Sequence, residues 1–154
     1  MARRTFELTT TVPVSPEAAI DFLVDLARHH GLHPYLVSAE VVDRGTDQAG
    51  TWQDWRVVER PRLGPLRYPI RFPARMIRTS PTSMRGEVTA APGCTLVTTT
   101  HATGTAASST LHETTLHETT VVTAPLPLVG YMARQARLAH ARTFSLLPAE
   151  LERV

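Results

Sequence analysis

Lysine is absent from this 154-residue chain, and all 16 basic residues are arginines. A net charge of +2 is too small to call for a nucleic-acid partner. The one cysteine, Cys94, has no second thiol for an internal disulfide, which fits a reducing compartment. It follows the turn residue Gly93 and reads as structural rather than as a nucleophile. No apolar run approaches the ~18 residues of a membrane span. The start, Met1-Ala2-Arg3-Arg4-Thr5-Phe6-Glu7, lacks the apolar stretch of a signal peptide. There is no glycine-rich phosphate loop, no G-x-S-x-G and no convincing catalytic triad. These absences lead to the expectation of a cytoplasmic protein without membrane span, nucleic acid or cofactor.

What is present is ordinary globular composition, 42% hydrophobic and 19% charged, in a length that suits a single domain over 1–154. Charge is unevenly placed: eight arginines and a single acid, Glu59, lie between Arg56 and Arg85. Such a run is a solvated sheet face or a docking face for an acidic partner.

The segment TLHETTLHETT, residues 110–120, contains His112 and His117 in a spacing one residue longer than the zinc motif H-E-x-x-H. On a helix the extra residue turns the second imidazole by ~100°, so the two cannot grip one ion. Five threonines favour strand in any case. No metal is expected. His29, His30 and His33 also lack a standard ligand spacing and read as exposed polar residues around Gly31.

Residues 4–12 alternate as a strand. Val14-Ser15-Pro16-Glu17 is a helix start, with Ser15 as cap and Pro16 in the first position. Apolar residues at 19, 20, 23, 24 and 27 predict an amphipathic helix stopped at Gly31. Strands are predicted near 37–45, 51–60, 66–79, 83–91, 94–104 and 110–123, with turn residues between them. Pro69 and Pro73 suggest that the fourth of the chain's strands is an edge or carries a bulge. From Leu126 a long closing helix presents Val129, Met132, Ala136, Ala139, Thr143 and Leu147 on one face, and Pro148 ends or kinks it.

That order of elements, with VPVSPEAAIDFLVDL after the first strand, GTWQDWRVVER, GPLRYPIRF and LHETTVVTAPLPLVGYMARQARLAH, resembles the START-like (SRPBCC) superfamily over nearly the whole chain. The superfamily contains polyketide cyclases and aromatases. The resemblance implies an α+β helix-grip fold, a curved antiparallel sheet of about seven strands around a long C-terminal helix. It also implies a cavity between sheet and helix for an apolar ligand. Aromatase/cyclase members carry an inward arginine on a central strand. Here Leu66, Tyr68, Ile70, Phe72, Ala74 and Met76 form the inward row, with Arg67, Arg71 and Arg75 opposite, unless a proline bulge turns Arg71 or Arg75 inward.

The five-residue repeat puts equivalent residues on opposite faces of a strand, so Leu111 and Leu116 cannot both point inward. Either a bulge restores the phase or the first copy lies in an extended hairpin. Counting back from Ala124-Pro125 makes the second copy the core one, with Leu116, Glu118, Thr120 and Val122 inward. A buried carboxylate needs a partner. Taking Thr95, Val97, Thr99, His101 and Thr103 as the inward set of the preceding strand makes His101 that partner, and Glu118 with His101 a candidate acid–base or orienting pair, or else a structural pair at the cavity rim. The pocket walls are then Trp55, Tyr68, Ile70, Phe72, Ala74, Met76, Leu116, Thr120, Met132 and Ala136, with Tyr35 at the entrance.

The function expected is binding of a hydrophobic small molecule, in its most specific form as a cofactor-independent polyketide cyclase/dehydratase-like protein. The alternatives are a non-catalytic lipid or quinone carrier and a docking protein for an acidic partner such as an acyl carrier protein. Either a monomer or a homodimer is compatible with the sequence.

Overall fold

The computed structural model describes residues 1–33, 35–60, 62–63, 65–67, 69–104 and 112–153, with backbone alone at 62, 63, 66 and 67. Strand β1 (Ala2–Val12) buries Phe6 and Val12 and leaves Thr5 and Glu7 outward, as alternation dictates. Helix α1 (Pro16–Val24) starts where Ser15 accepts the Ala18 N–H at 3.2 Å, with Pro16 in the first turn. It stops well before Gly31. Asp25 leaves the helix in an extended conformation, and its carboxylate accepts the Ala27 N–H at 3.2 Å. That local bond diverts the chain into a single 3-10 turn, Leu26–Arg28, in place of the longer helix predicted from periodicity.

Eight more strands and a helix follow: β2 (Leu36–Asp47), β3 (Gly50–Glu59), β4 (Arg62–Leu63), β5 (Leu66–Arg67), β6 (Ile70–Ser80), β7 (Ser83–Ala91), β8 (Cys94–Gly104), β9 (Thr114–Ala124) and α2 (Leu126–Glu152). Seven of the strands form one antiparallel sheet in the order β1-β9-β8-β7-β6-β3-β2. The segment predicted as one strand from 66 is therefore divided. β4 and β5 pair only with each other, and the main strand starts at Ile70, directly after Pro69. A proline gives a ladder no donor, which explains the break. β6 is central, not an edge. Pro73 is tolerated because it pairs with Arg56 of β3 while the ladder to β7 begins one residue later, at Ala74 and Val88. The prolines introduce no register shift between β3 and β6, so the phase is preserved.

The ladder of β8 with β9 runs without a shift from Gly104–Thr114 to Thr95–Thr123. Leu116, Glu118, Thr120 and Val122 are all buried, in the phase counted back from Pro125. Of the first repeat copy, Thr110 and Leu111 lie outside the described residues, and His112 and Glu113 precede the strand.

Helix α2 lays Val129, Thr143, Phe144, Leu147 and Leu151 against the sheet. Burying each large aliphatic here contributes roughly 1.5–3 kcal/mol. Pro148 does not end the helix, which runs on to Glu152. A proline at this position removes the N–H that Phe144 O would receive. The Thr10 hydroxyl of β1 donates to that carbonyl instead, at 3.4 Å. At the other side of the sheet β2 carries two register shifts against β3, where Val37 and Val42 are the extra residues. Both are about half exposed, at 48% and 53%.

Candidate functional site

Between the inner face of the sheet, α1 and α2 lies a cavity of about 320 Å³. Phe72, Ala74 and Met76 of β6 line it with Val57, Met84, Val88 and Leu96 from neighbouring strands, and α1 adds Leu23. Ala136, Ala139, His140 and Thr143 supply the helix side. The wall is mostly apolar, with six polar residues: His29, His33, Glu59, Thr98, His140 and Thr143.

The buried carboxylate of Glu118 sits behind this wall. Its partner is His140 on α2, whose Nδ1–H donates to Oε1 at 2.5 Å. The same oxygen accepts the Thr120 hydroxyl at 3.2 Å. Glu118 is 6% exposed, so two donors replace the water it has lost. The imidazole is also packed edge-on against Phe6, with ring centroids 5.7 Å apart. With Nδ1 holding the proton toward the carboxylate, Nε2 is the ring atom left to act on a ligand.

His101 is not the partner. It is exposed and pairs across the ladder with exposed His117 on the outer face. The inward residues of β8 are Cys94, Leu96, Thr98, Thr100 and Ala102, one step out of phase with the sequence reading. Threonines occupy both faces of β8, so alternation of polarity could not choose between them.

The loop histidines also depart from expectation. His29 is 5% exposed, and its Nε2–H donates to Phe22 O at 2.9 Å. Its ring stacks on Phe22 at 5.2 Å and stands 5.9 Å from that of His33. Burial lowers the pKa of both; His33 falls to about 4, with repulsion from His29 and His140 adding to the desolvation. His30 alone of the three is exposed. Glu59, which the sequence reading treated only as part of the charge balance, lines the cavity and has its carboxyl raised by burial. Among the described residues it has no ion pair or hydrogen bond through its side chain. His140 could have been found from spacing, because it follows Ala136 by four and precedes Thr143 by three on one helix face.

The remaining expected wall residues fall into place as follows. Phe72, Ala74, Met76 and Ala136 line the cavity. Trp55 and Leu116 are buried in the core beside it, and Thr120 lies behind it bonded to Glu118. Ile70 shares the inward phase of Phe72 but is not on the wall. Met132 packs with Cys94, Ala124 and Val129 in a separate small cluster, too near the start of α2 to reach the cavity. Tyr35 is 44% exposed and outside the wall. Tyr68 lies outside the described residues. Neither Arg71 nor Arg75 enters. Arg71 is exposed, and Arg75 is held on the outer face by a two-pronged pair with Asp54, at 2.6 and 2.9 Å, and by the Trp52 ring at 4.1 Å. That pair holds Asp54 below its usual range. Arg78 is joined to Asp21 of α1, so part of the arginine-rich run fastens the structure rather than facing solvent free. Among the described residues no group of three or more histidine, cysteine or acidic side chains is placed to hold a metal ion.

A seven-stranded antiparallel sheet curled over one long helix, with an apolar cavity between, is the helix-grip fold of START-like proteins. Known structures agree. The chain is similar to the Zhui aromatase/cyclase from a Streptomyces species, at 15% identity and a TM-score of 0.74, covering 99% of this chain and 95% of that one. It is similar to a START superfamily protein from Mycobacterium smegmatis at 13% identity and a TM-score of 0.69, covering 97% of each. A Thermus thermophilus protein matches at 18% identity and a TM-score of 0.62, over 97% of this chain and 96% of that one. These likenesses concern the fold. No protein-family model matches the sequence, and no curated protein does. No helix among the described residues is long and apolar enough to cross a membrane.

Proposed function

We propose that the chain binds a hydrophobic small molecule in the cavity under α2 and acts on it as a cofactor-independent cyclase/dehydratase-type enzyme. The observation that carries this reading is the Glu118–His140 bond at the cavity wall, 2.5 Å long in an otherwise apolar setting. A buried carboxylate that fixes the tautomer of an imidazole leaves Nε2 ready to take a proton from a bound substrate. A plain carrier needs apolar walls but has no use for such an orienting pair. A volume of about 320 Å³ suits a compact ligand of a few fused rings better than a long-chain lipid. Docking to an acidic carrier protein is the second reading, favoured by exposed Arg56 and Arg71 on the outer sheet face.

Native mass spectrometry of the protein from its own host tests the binding. A retained small molecule is expected, and it should be lost in Ala136→Trp, which fills the wall from the helix side. Retention of the same molecule in that variant would move the ligand out of this cavity. Turnover of the recovered molecule, absent in His140→Phe, would separate enzyme from carrier.

A further inference from the structure

Five of the six polar residues on the described cavity wall have a common feature, visible once each hydrogen is followed to its acceptor. The Thr120 hydroxyl donates to Glu118, so in the 3.0 Å contact between Thr98 and Thr120 the donor is Thr98. Thr143 donates to Ala139 O at 3.1 Å. His140 donates through Nδ1 to Glu118, and His29 donates through Nε2 to Phe22 O. With the imidazoles in their neutral form, each of these four side chains has only lone pairs left to offer a ligand: Thr98 Oγ1, Thr143 Oγ1, His140 Nε2 and His29 Nδ1. Glu59 adds a carboxylate that has no partner among the described residues. Only His33 keeps a free N–H. No described arginine lines the cavity.

Resting on the reading of this cavity as the ligand site, we infer that it selects a neutral polycyclic ligand bearing hydroxyl or N–H donors, a phenol above all, and rejects carboxylates. Among the described wall residues, an oxygen acceptor on the ligand finds one side-chain donor at most. A carboxylate would meet the lone pairs and the Glu59 charge in a setting that removes its water, which costs far more than one hydrogen bond returns. A phenol replaces that water with O–H donation to whichever lone pair it reaches. The arrangement also places His140 Nε2 where a donor of this kind would lose its proton, so selection and chemistry draw on the same atom.

Three compounds of one shape test the inference: 2-naphthol, 2-methoxynaphthalene and 2-naphthoate, titrated calorimetrically at pH 7.5 into the full chain. The naphthol is expected to bind about tenfold more tightly than the ether, one charge-assisted hydrogen bond's worth, and the naphthoate more weakly still. Glu59→Gln, which supplies an amide donor at the same place, should bring the naphthoate within about tenfold of the naphthol. Equal affinity for naphthol and ether, or a naphthoate that binds as well as the naphthol to the unaltered chain, would overturn the inference while leaving the cavity as a binding site. Binding by none of the three would overturn the binding-site reading itself, and the inference with it.

Discussion

Glu118 of β9 and His140 of α2, 22 residues apart in sequence, are joined by a 2.5 Å hydrogen bond that ties the sheet to the helix across the cavity wall. Removing one member strands the other. His140→Ala should cost about 1–3 kcal/mol in denaturant unfolding, because Glu118 keeps only Thr120. Glu118→Gln still accepts from both neighbours and should cost clearly less. Equal losses for the two variants would mean that the pair is not what holds this wall.

Acid should weaken the fold through the buried histidines. His33 titrates at about 4 in the folded chain against an ordinary 6.5, and His29 is shifted the same way. The unfolded chain therefore takes up protons first as pH falls, and stability drops between about 6.5 and 4. For His33 the ceiling is about 3 kcal/mol. His33→Leu should flatten the fall in melting temperature over that window; an unchanged slope would place the effect elsewhere.

Glu59 has the opposite sign. Its folded pKa is raised from the ordinary 4.5, so burial opposes folding once pH climbs above that value. Glu59→Gln is expected to raise the melting temperature at pH 7 and to change it little near pH 4, where the carboxyl is mostly protonated in both states. A gain at both pH values would point to packing rather than charge.

Gly50 turns β2 into β3 with φ at +137°, and a Cβ there would stand 2.0 Å from Arg78 O. Gly50→Ala combines strain with a backbone clash and should destabilise by roughly 2–3 kcal/mol. A loss under about 1 kcal/mol in chemical denaturation would mean that the turn can rearrange.

At Pro148 the gain should run the other way. Pro148→Ala returns an N–H to Phe144 O and should stabilise by about 1–3 kcal/mol. Thr10→Val, which removes the substitute donor, should cost about 1 kcal/mol with the proline present and less once it is gone. Additive effects of the two changes would disconnect them.

The architecture was legible because its signals were local and agreed. Ser15-Pro16 marked one helix, Pro125 fixed the phase of β9, and alternation over Phe72, Ala74 and Met76 named a wall of the cavity. The site was harder, since the partner of Glu118 comes from a distant helix that no strand pattern reveals. Spacing allows His140 on a face with Ala136 and Thr143, but read together with Arg134, Arg137 and Arg142 it falls mostly off the apolar stripe of the closing helix. The error at His101 has a similar source, threonine being equally at home inside and outside a sheet. The turn at Asp25, which swings His29 and His33 into the wall, depends on one side-chain hydrogen bond that periodicity does not register.

The two bulges of β2 bear on how the molecule lives among its own copies. β2 is the last strand of the sheet, 12 residues long, and a straight edge of that length is a template on which other chains can polymerise. With Val37 and Val42 pushed out of step, an incoming strand would find regular spacing only over two short runs, Ser38 to Val41 and Asp43 to Asp47, with its donors and acceptors out of line between them. The irregularity acts as a built-in stop to growth, so straightening it by deleting Val42 should favour fibre growth from this edge.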